Sequence, residues 1–175
     1  VGTDVLFQSF GSPFNSNGRV SLVGAKIKGK LDCTGSKFVN QTRGQDALDC
    51  EAIEVGWVLI RKKNEFGPSI DGNVSFEGAK ISGLFKWQEV GGTHDLDIRR
   101  AETDTIQLFP FNVSTAESDI NWERYENWKL SGLRYEALSK PELAATGHML
   151  KFLQSCDAGQ YLPQPYRQLF RTLRD

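Results

Sequence analysis

The chain has 175 residues, of which 39% are hydrophobic and 25% are charged, and its formal net charge is −1. This length fits one domain, or one domain with an appendage, and the apolar content excludes wholesale disorder because a core can form. The near-neutral charge argues against a dedicated nucleic-acid-binding protein, and the absence of an apolar run of roughly 18 residues argues against a membrane-spanning helix.

A twelve-residue segment occurs twice in the first half of the chain. The segments Gly18–Gly29 and Gly72–Gly83 are identical at eight of twelve positions, at an offset of 54 residues. A weaker copy lies between them and another follows. One aliphatic residue of each unit defines position zero; these residues are Val20, Leu48, Val74 and Leu96. Internal repeats of roughly 20–50 residues are typical of solenoid proteins.

Apolar residues recur within each unit with a period of two. They fill most of four further positions. Position +2 holds Leu22, Cys50, Phe76 and Ile98, and position +5 holds Ala25, Ile53, Ala79 and Ala101. Position +7 holds Ile27, Val55, Ile81 and Thr103, and position +11 holds Leu31, Leu59, Phe85 and Gln107. Positions 0 and +2, followed by +5 and +7, predict two short strands separated by a bend. Gly24 and Gly78 lie at that bend, where a positive φ costs glycine little.

The spacing and charge of the units predict how they pack. Successive units are 28, 26 and 22 residues apart, which is too long for a hairpin and suits one coil of a parallel β-helix. Position +6 holds Lys26, Glu54, Lys80 and Glu102, whose alternating charges would attract one another in a stack. We therefore predict a mainly β fold: a right-handed parallel β-helix of the quadrilateral type over residues 1–138. An antiparallel sandwich with a duplicated hairpin is the alternative.

The last part of the chain, residues 139–175, predicts a helical cap or appendage. Pro141 precedes a predicted helix that runs to about residue 154, and Pro165 precedes a second over residues 166–174. A stack of coils exposes strand edges at its end, so we expect these helices to cover it. The basic face of the second helix could instead dock a partner or an anionic membrane.

These segments resemble a family of uncharacterised bacterial β-helical repeat proteins, similar in style to pentapeptide-repeat proteins and often called membrane-associated oxidoreductases. The resemblance covers most of the chain. It rests on the run Gly18-x-Val20-x-Leu22-x-Gly24-Ala25-x-Ile27-x-Gly29-x-Leu31-Asp32-Cys33, on its copy from Gly72, and on the tail Pro163-Gln-Pro-Tyr166-x-Gln-Leu169-x-x-x-Leu173-Arg174. It implies a β-helical body followed by helices, within a larger bacterial protein, and no catalytic residue. No GxGxxG motif supports an oxidoreductase, and we expect no cofactor.

Signals for catalytic chemistry are weak. His94 and His148 lie far apart and no pair of His or Cys has ligand spacing, so we expect no metal site. The three cysteines form no CxxC pair, which favours reduced thiols and a cytoplasmic location. Asp49 and Asp97 occupy equivalent outward positions two coils apart, so roughly 9–10 Å would separate them. That is the upper end of an inverting carboxylate pair, but we favour a solvated repeat face.

The aromatic residues give the clearest hint of binding. Five of them lie on or after the coils at positions less clearly inward: Trp57, Trp87, Trp122, Tyr125 and Trp128. Exposed Trp and Tyr side chains are common anchors at interfaces and stack on sugars. Packing beneath loops and the cap is the alternative.

These observations favour a non-catalytic β-helical protein-interaction or scaffold module. We expect its partner to be a protein or a second copy of the chain, bound through the coil ends or the aromatic face. We expect no nucleic acid, and membrane contact has no clear support. The alternative is a carbohydrate-binding or polysaccharide-acting β-helix enzyme with a groove near Trp57, Trp87 and Asp49. A catalytic site would interrupt the repetition of polar positions, which favours the first interpretation.

Overall fold

The computed structural model describes residues 3–7, 13–42, 44–61, 67–88, 90–108, 127–139, 146–156 and 163–174. These residues form a mainly β structure with two helices, as the sequence predicts. The strands are β1 (Val5–Leu6), β2 (Asn15–Asn17), β3 (Val20–Ser21), β4 (Lys26–Asp32), β5 (Lys37–Val39), β6 (Asp46–Asp49), β7 (Glu54–Arg61), β8 (Ser69–Asp71), β9 (Asn73–Ser75), β10 (Lys80–Gln88), β11 (Leu96–Asp97), β12 (Glu102–Gln107) and β13 (Arg134–Leu138). The helices are α1 (Thr146–Cys156) and α2 (Pro163–Arg174).

The strands form three sheets, and all of the paired strands that the structure describes run parallel. The six-stranded sheet has the order β1-β4-β7-β10-β12-β13, the four-stranded sheet β3-β6-β9-β11 and the three-stranded sheet β2-β5-β8. From β2 to β10, a strand of the smallest sheet is followed by one of the four-stranded sheet and then by one of the largest. The antiparallel sandwich is therefore wrong, because hairpin strands pair in opposite directions.

The residues at position zero lie beside one another in the four-stranded sheet. Val20 pairs with Leu48, Leu48 pairs with Val74, and Val74 pairs with Leu96. The last three side chains are buried, and Val20 packs partly buried against the same core. The predicted alignment of these four positions is confirmed.

The column at position +11 differs from the prediction by one residue in two units. The residues that pair in this column are Leu31, Val58, Phe85 and Ile106. Leu59 and Gln107 do not belong to it, so that part of the prediction is wrong. The first and third units have one more residue between position +7 and this column, and the pairing register shifts there. A one-residue insertion of this kind bends a strand locally.

The bend after position +3 has a left-handed backbone in unit after unit. The φ angles are 65° at Gly24, 53° at Ala52, 68° at Gly78, 58° at Arg100 and 78° at Gly132. The positive φ predicted for the two repeat glycines is confirmed. Left-handed backbone costs a residue with a β-carbon about 1–2 kcal/mol, so the pairing on either side imposes it on Ala52 and Arg100.

Helix α2 lies against the last strand of the six-stranded sheet. Gln164 Nε2 donates to the carbonyl oxygen of Leu133 at 2.8 Å, and Gln168 Nε2 donates to that of Tyr135 at 2.7 Å. The backbone N–H of Gly132 donates to Gln164 Oε1 at 3.1 Å. These amides bond to backbone groups that a further strand would otherwise bond, so the edge at β13 is covered.

Candidate binding surface

Five charged residues alternate in sign across the outer face of the six-stranded sheet. We call this row the charge ladder; it consists of Lys26, Glu54, Lys80, Glu102 and Arg134. Each member pairs in register with the next. The predicted alternation of the first four is confirmed. Arg134 was not predicted to belong to it, although the spacing of Leu130, Leu133 and Tyr135 repeats that of positions +2, +5 and +7.

The contacts within the charge ladder are at the protein surface. Lys26 Nζ lies 3.1 Å from Glu54 Oε1, and Arg134 Nη1 donates to Glu102 Oε1 at 3.2 Å. The side chains of the first pair are 75% and 49% exposed. Exposed ion pairs contribute only about 0–1 kcal/mol each, so the ladder adds little to stability. Its main physical consequence is a fixed pattern of charge on a surface that solvent and partners can reach.

A groove of about 1290 Å³ runs over the charge ladder. Its floor is formed by residues of β4, β7, β10, β12 and β13, and α2 contributes Gln164, Gln168, Arg171 and Thr172 along one side. A second row of residues lies next to the ladder; it comprises Lys28, Gly56, Ser82, Asp104 and Glu136. Apolar side chains, among them Ile27, Val55 and Ile81, share this lining with the charged and polar groups, so the groove suits an extended partner that carries both polar and apolar groups.

Trp57 is the most exposed of the candidate aromatic side chains that the structure describes, at 55%. It pairs in register with Lys30 and directly follows Gly56, which lines the groove. Its indole ring lies over Gly83, where an added β-carbon would overlap the ring. The glycine thus allows the tryptophan to pack on bare backbone while much of the ring stays in solvent.

Two of the other aromatic candidates, Trp87 and Trp128, do not join Trp57 on this surface. Trp87 and Trp128 are 1% and 2% exposed, and their ring centroids lie 5.8 Å apart in an edge-to-face arrangement. The hypothesis that these two are surface anchors is corrected, because they pack in the core with Phe152 of α1. The signal was available: Trp87 lies two residues after the inward Phe85 and so shares its face. Trp122 and Tyr125 lie outside the described residues.

Asp49, a candidate of the enzyme interpretation, is buried rather than solvated. Its Oδ1 accepts a hydrogen bond from the backbone N–H of Glu51 at 3.1 Å, and its Oδ2 pairs with the guanidinium of Arg19. A carboxylate that bonds to the backbone two residues later stabilises a turn. The expectation of a solvated side chain at this position is therefore wrong, and its contacts are structural.

Asp97 makes the same turn two units later. Its Oδ1 accepts from the backbone N–H of Arg99 at 3.1 Å, its Oδ2 lies 2.6 Å from Arg99 Nη2, and Lys129 Nζ lies 3.7 Å away. Burial by itself would raise the pKa of Asp97, but the hydrogen bonds and charge of Arg99 outweigh it, so the pKa is lowered. A carboxylate held ionised in this way is poorly suited to donate a proton.

The described part of the chain offers no assembled site for metal binding or for thiol chemistry. No group of three or more His, Cys, Asp and Glu side chains is placed there to hold a metal ion. Cys33 and Cys50 are buried free thiols, and burial raises the pKa of both. None of the described helices has the length and apolar character needed to cross a membrane.

Comparison of the chain with protein-family models, curated proteins and solved structures finds no match. The resemblance to the bacterial repeat family stays a prediction, and function must be inferred from the geometry of the surface.

Proposed function

We propose that this chain is a non-catalytic protein-interaction module, built as a right-handed quadrilateral β-helix within a larger bacterial protein. The observation that carries the proposal is the charge ladder beside Trp57. Five charges of alternating sign are held at the spacing of neighbouring parallel strands, roughly 4.8 Å, and the exposed ring of Trp57 packs over Gly83, the residue after the groove-lining Ser82.

The sheet topology supports the β-helix. Three consecutive strands contribute one each to the three sheets, and the next three do the same in parallel register. The register shifts within β4, β7 and β10 divide the largest sheet along its length, which supplies a fourth side to each coil. Strong contacts in solution between Leu48 and both Val20 and Val74, measured as nuclear Overhauser effects, would support this winding. Cross-strand contacts typical of antiparallel pairing would contradict it.

The charge ladder fits recognition because its geometry does not depend on the partner. A surface whose charges are fixed in position gives specificity and faster association more than raw affinity. Trp57 adds apolar contact area, and its side chain loses little conformational entropy when a partner binds. Large aromatic residues of this kind contribute much of the binding energy at protein interfaces. Asp49 and Asp97 were the candidate catalytic carboxylates of the enzyme interpretation. Both accept hydrogen bonds within turns and form ion pairs with arginine, which supports a structural role.

Carbohydrate binding is the second candidate, and Trp57 is the observation that favours it. An exposed indole beside a polar groove is a common platform for a sugar ring. Both candidates use the same surface, so the chemical nature of what crosslinks to it distinguishes them.

Site-specific photocrosslinking in the native organism tests the proposal. A photoreactive amino acid at Ser82, in the groove beside the ladder, should give a discrete protein adduct. The adduct should be lost when Trp57→Ala is added. The matched control places the same group at Thr42, an exposed residue between β5 and β6, and should not give this adduct. A glycan adduct at Ser82 would support the second candidate, and equal crosslinking from both positions would overturn the proposal.

A further inference from the structure

The charge ladder lies on a lateral face of the strand stack, and its order of charges is self-complementary. Its members Lys26, Glu54, Lys80, Glu102 and Arg134 lie on successive strands of the six-stranded sheet, from β4 to β13. When two such sheets face each other around a two-fold axis parallel to the strands, the strand order of one copy is reversed relative to the other. Coils added at either end of the stack would lengthen the row and would not cover its face.

The position of the two-fold axis decides which charges meet. An axis that coincides with a strand places each ladder residue opposite one of the same sign. An axis midway between β7 and β10 places Glu54 opposite Lys80 of the second copy, and Lys26 opposite Glu102 of the second copy. Each of these contacts occurs twice by symmetry, and in each of them opposite charges meet.

The second row of groove residues selects the same axis. The row lies two residues after the ladder, on the same side of the strands, because side chains alternate. The axis between β7 and β10 places Lys28 opposite Asp104 of the second copy and Gly56 opposite Ser82, so opposite charges meet and two small residues allow close approach. An axis between β10 and β12 also pairs opposite charges of the ladder, but it places Asp104 opposite Ser82 and Glu136 opposite Gly56. Those carboxylates would lose water without gaining a cation.

Three of the charges that the first axis brings together have no ion pair with another residue that the structure describes. They are Lys28, Lys80 and Asp104, and all three are exposed. They can therefore pair with a second copy without losing an existing contact. The net charge of −1 adds little overall repulsion between two copies.

Trp57 lies where this axis passes. It belongs to β7, and its indole packs onto Gly83 of β10, so the ring lies between these two strands while the residue is 55% exposed. Rotation about the axis brings Trp57 of the second copy to the same end of the interface. Exposed aromatic side chains near the centre of an interface supply much of its binding energy.

We propose that the charge ladder and the second row form an interface with a second copy of this chain, around a two-fold axis between β7 and β10. The inference rests on the proposed function, because it names the partner of the same surface. Opposite charges fix the register, and the two Trp57 rings add apolar contact. The facing charges come from β4, β7, β10 and β12 alone, so the dimer is weak, reversible and sensitive to salt.

Sedimentation velocity of the full chain under reducing conditions tests the inference. Dimer should form as the protein concentration rises in low salt and should dissociate in high salt. Glu54→Lys and Lys80→Glu should each weaken the dimer about tenfold, because each places like charges at both symmetric contacts. An equimolar mixture of the two variants should dimerise as tightly as the wild type, since each chain supplies the charge that the other has lost.

Two controls separate this interface from general effects. Recovery in the mixture excludes misfolding of either variant as the cause of the weakening. Lys37→Glu makes the same charge change on an exposed lysine of β5, in the three-stranded sheet, and should leave dimerisation unchanged.

A chain that stays monomeric up to the millimolar range, single variants that dimerise like the wild type, or a mixture without recovery would overturn the inference. A Ser82 crosslink to a different protein would also overturn it, and would leave the proposed interaction function standing. The absence of any protein adduct at Ser82 would overturn the proposed function as well, so the two failures are distinguishable. An adduct with the mass of two copies of the chain supports both.

Discussion

Reversal of the central charge of the ladder, Glu54→Lys, should destabilise the protein through electrostatics alone. Glu54 lies between Lys26 and Lys80 in the pairing register, with Lys26 Nζ at 3.1 Å. The substitution replaces two attractive neighbours with two repulsive ones, each of roughly 0.2–1 kcal/mol. Because these side chains are largely exposed, the lower part of that range applies, and the expected loss is about 1 kcal/mol. For a domain of this size that lowers Tm by about 2–4 °C.

Thermal unfolding followed by circular dichroism at low and high salt measures this effect. Glu54→Gln removes the attraction without adding repulsion, so it should cost about half as much. Adding Lys26→Glu to Glu54→Lys should recover part of the loss, since one attractive pair is restored while the repulsion from Lys80 remains. High salt should reduce all of these differences, because the Debye length falls to about 3 Å at 1 M. Equal Tm values for the Lys and Gln variants in low salt would refute the register-based reasoning.

Three further predictions follow from the bends, the cap and the turns. Ala52→Gly should raise the free energy of unfolding, and Gly24→Ala should lower it, each by about 1 kcal/mol, because both positions have left-handed backbone. Gln168→Ala should cost about 1 kcal/mol and speed amide exchange in β13, since the carbonyl of Tyr135 loses its donor. The lowered pKa of Asp97 stabilises the folded state above the ordinary carboxyl pKa, and that contribution is lost as pH falls through the folded-state value. Asp97→Asn should therefore reduce the loss of stability on acidification below about pH 4.

Each of these three predictions has a control or an outcome that would contradict it. An added β-carbon at Gly24 meets open space, so a loss there reports backbone conformation and not a clash. A Gln168→Ala variant with unchanged exchange in β13 would show that α2 does not hold that edge. Chemical denaturation at several pH values separates Asp97→Asn from the wild type. Parallel pH profiles for the two proteins would contradict the role assigned to the carboxylate.

Sequence periodicity was sufficient for the position-zero column and for most of the charge ladder. Val20, Leu48, Val74 and Leu96 share the same local pattern, and the alternation of side chains along a strand fixes which of them turn inward. The charge alternation was readable for the same reason, since residues at equivalent positions of stacked strands become neighbours. The fifth member, Arg134, was missed because its unit lies 32 residues after Glu102 and the intervening segment interrupts the pattern.

The candidate site was less predictable, because exposure depends on what covers a residue from elsewhere in the chain. Trp87 follows the inward Phe85 by two residues and lies in the core, as alternation predicts, whereas Trp57 follows the inward Val55 by two residues and yet is exposed, because the alternation is interrupted before the inward Val58. The sequence pattern predicts that Asp49 is an outward polar residue. It is buried because Arg19, which lies far from it in the sequence, forms an ion pair with it.

The sequence by itself determined which side chains face inward within each short strand, where the chain bends, and that opposite charges would meet, because these follow from alternation and spacing along the chain. The tertiary structure alone decided the register of Val58 and Ile106, the covering of the β13 edge by two glutamines of α2, and the burial of Asp49 beneath Arg19. Those features depend on hydrogen bonds between residues far apart in sequence, and a single inserted residue before such a bond moves every later side chain to the other face.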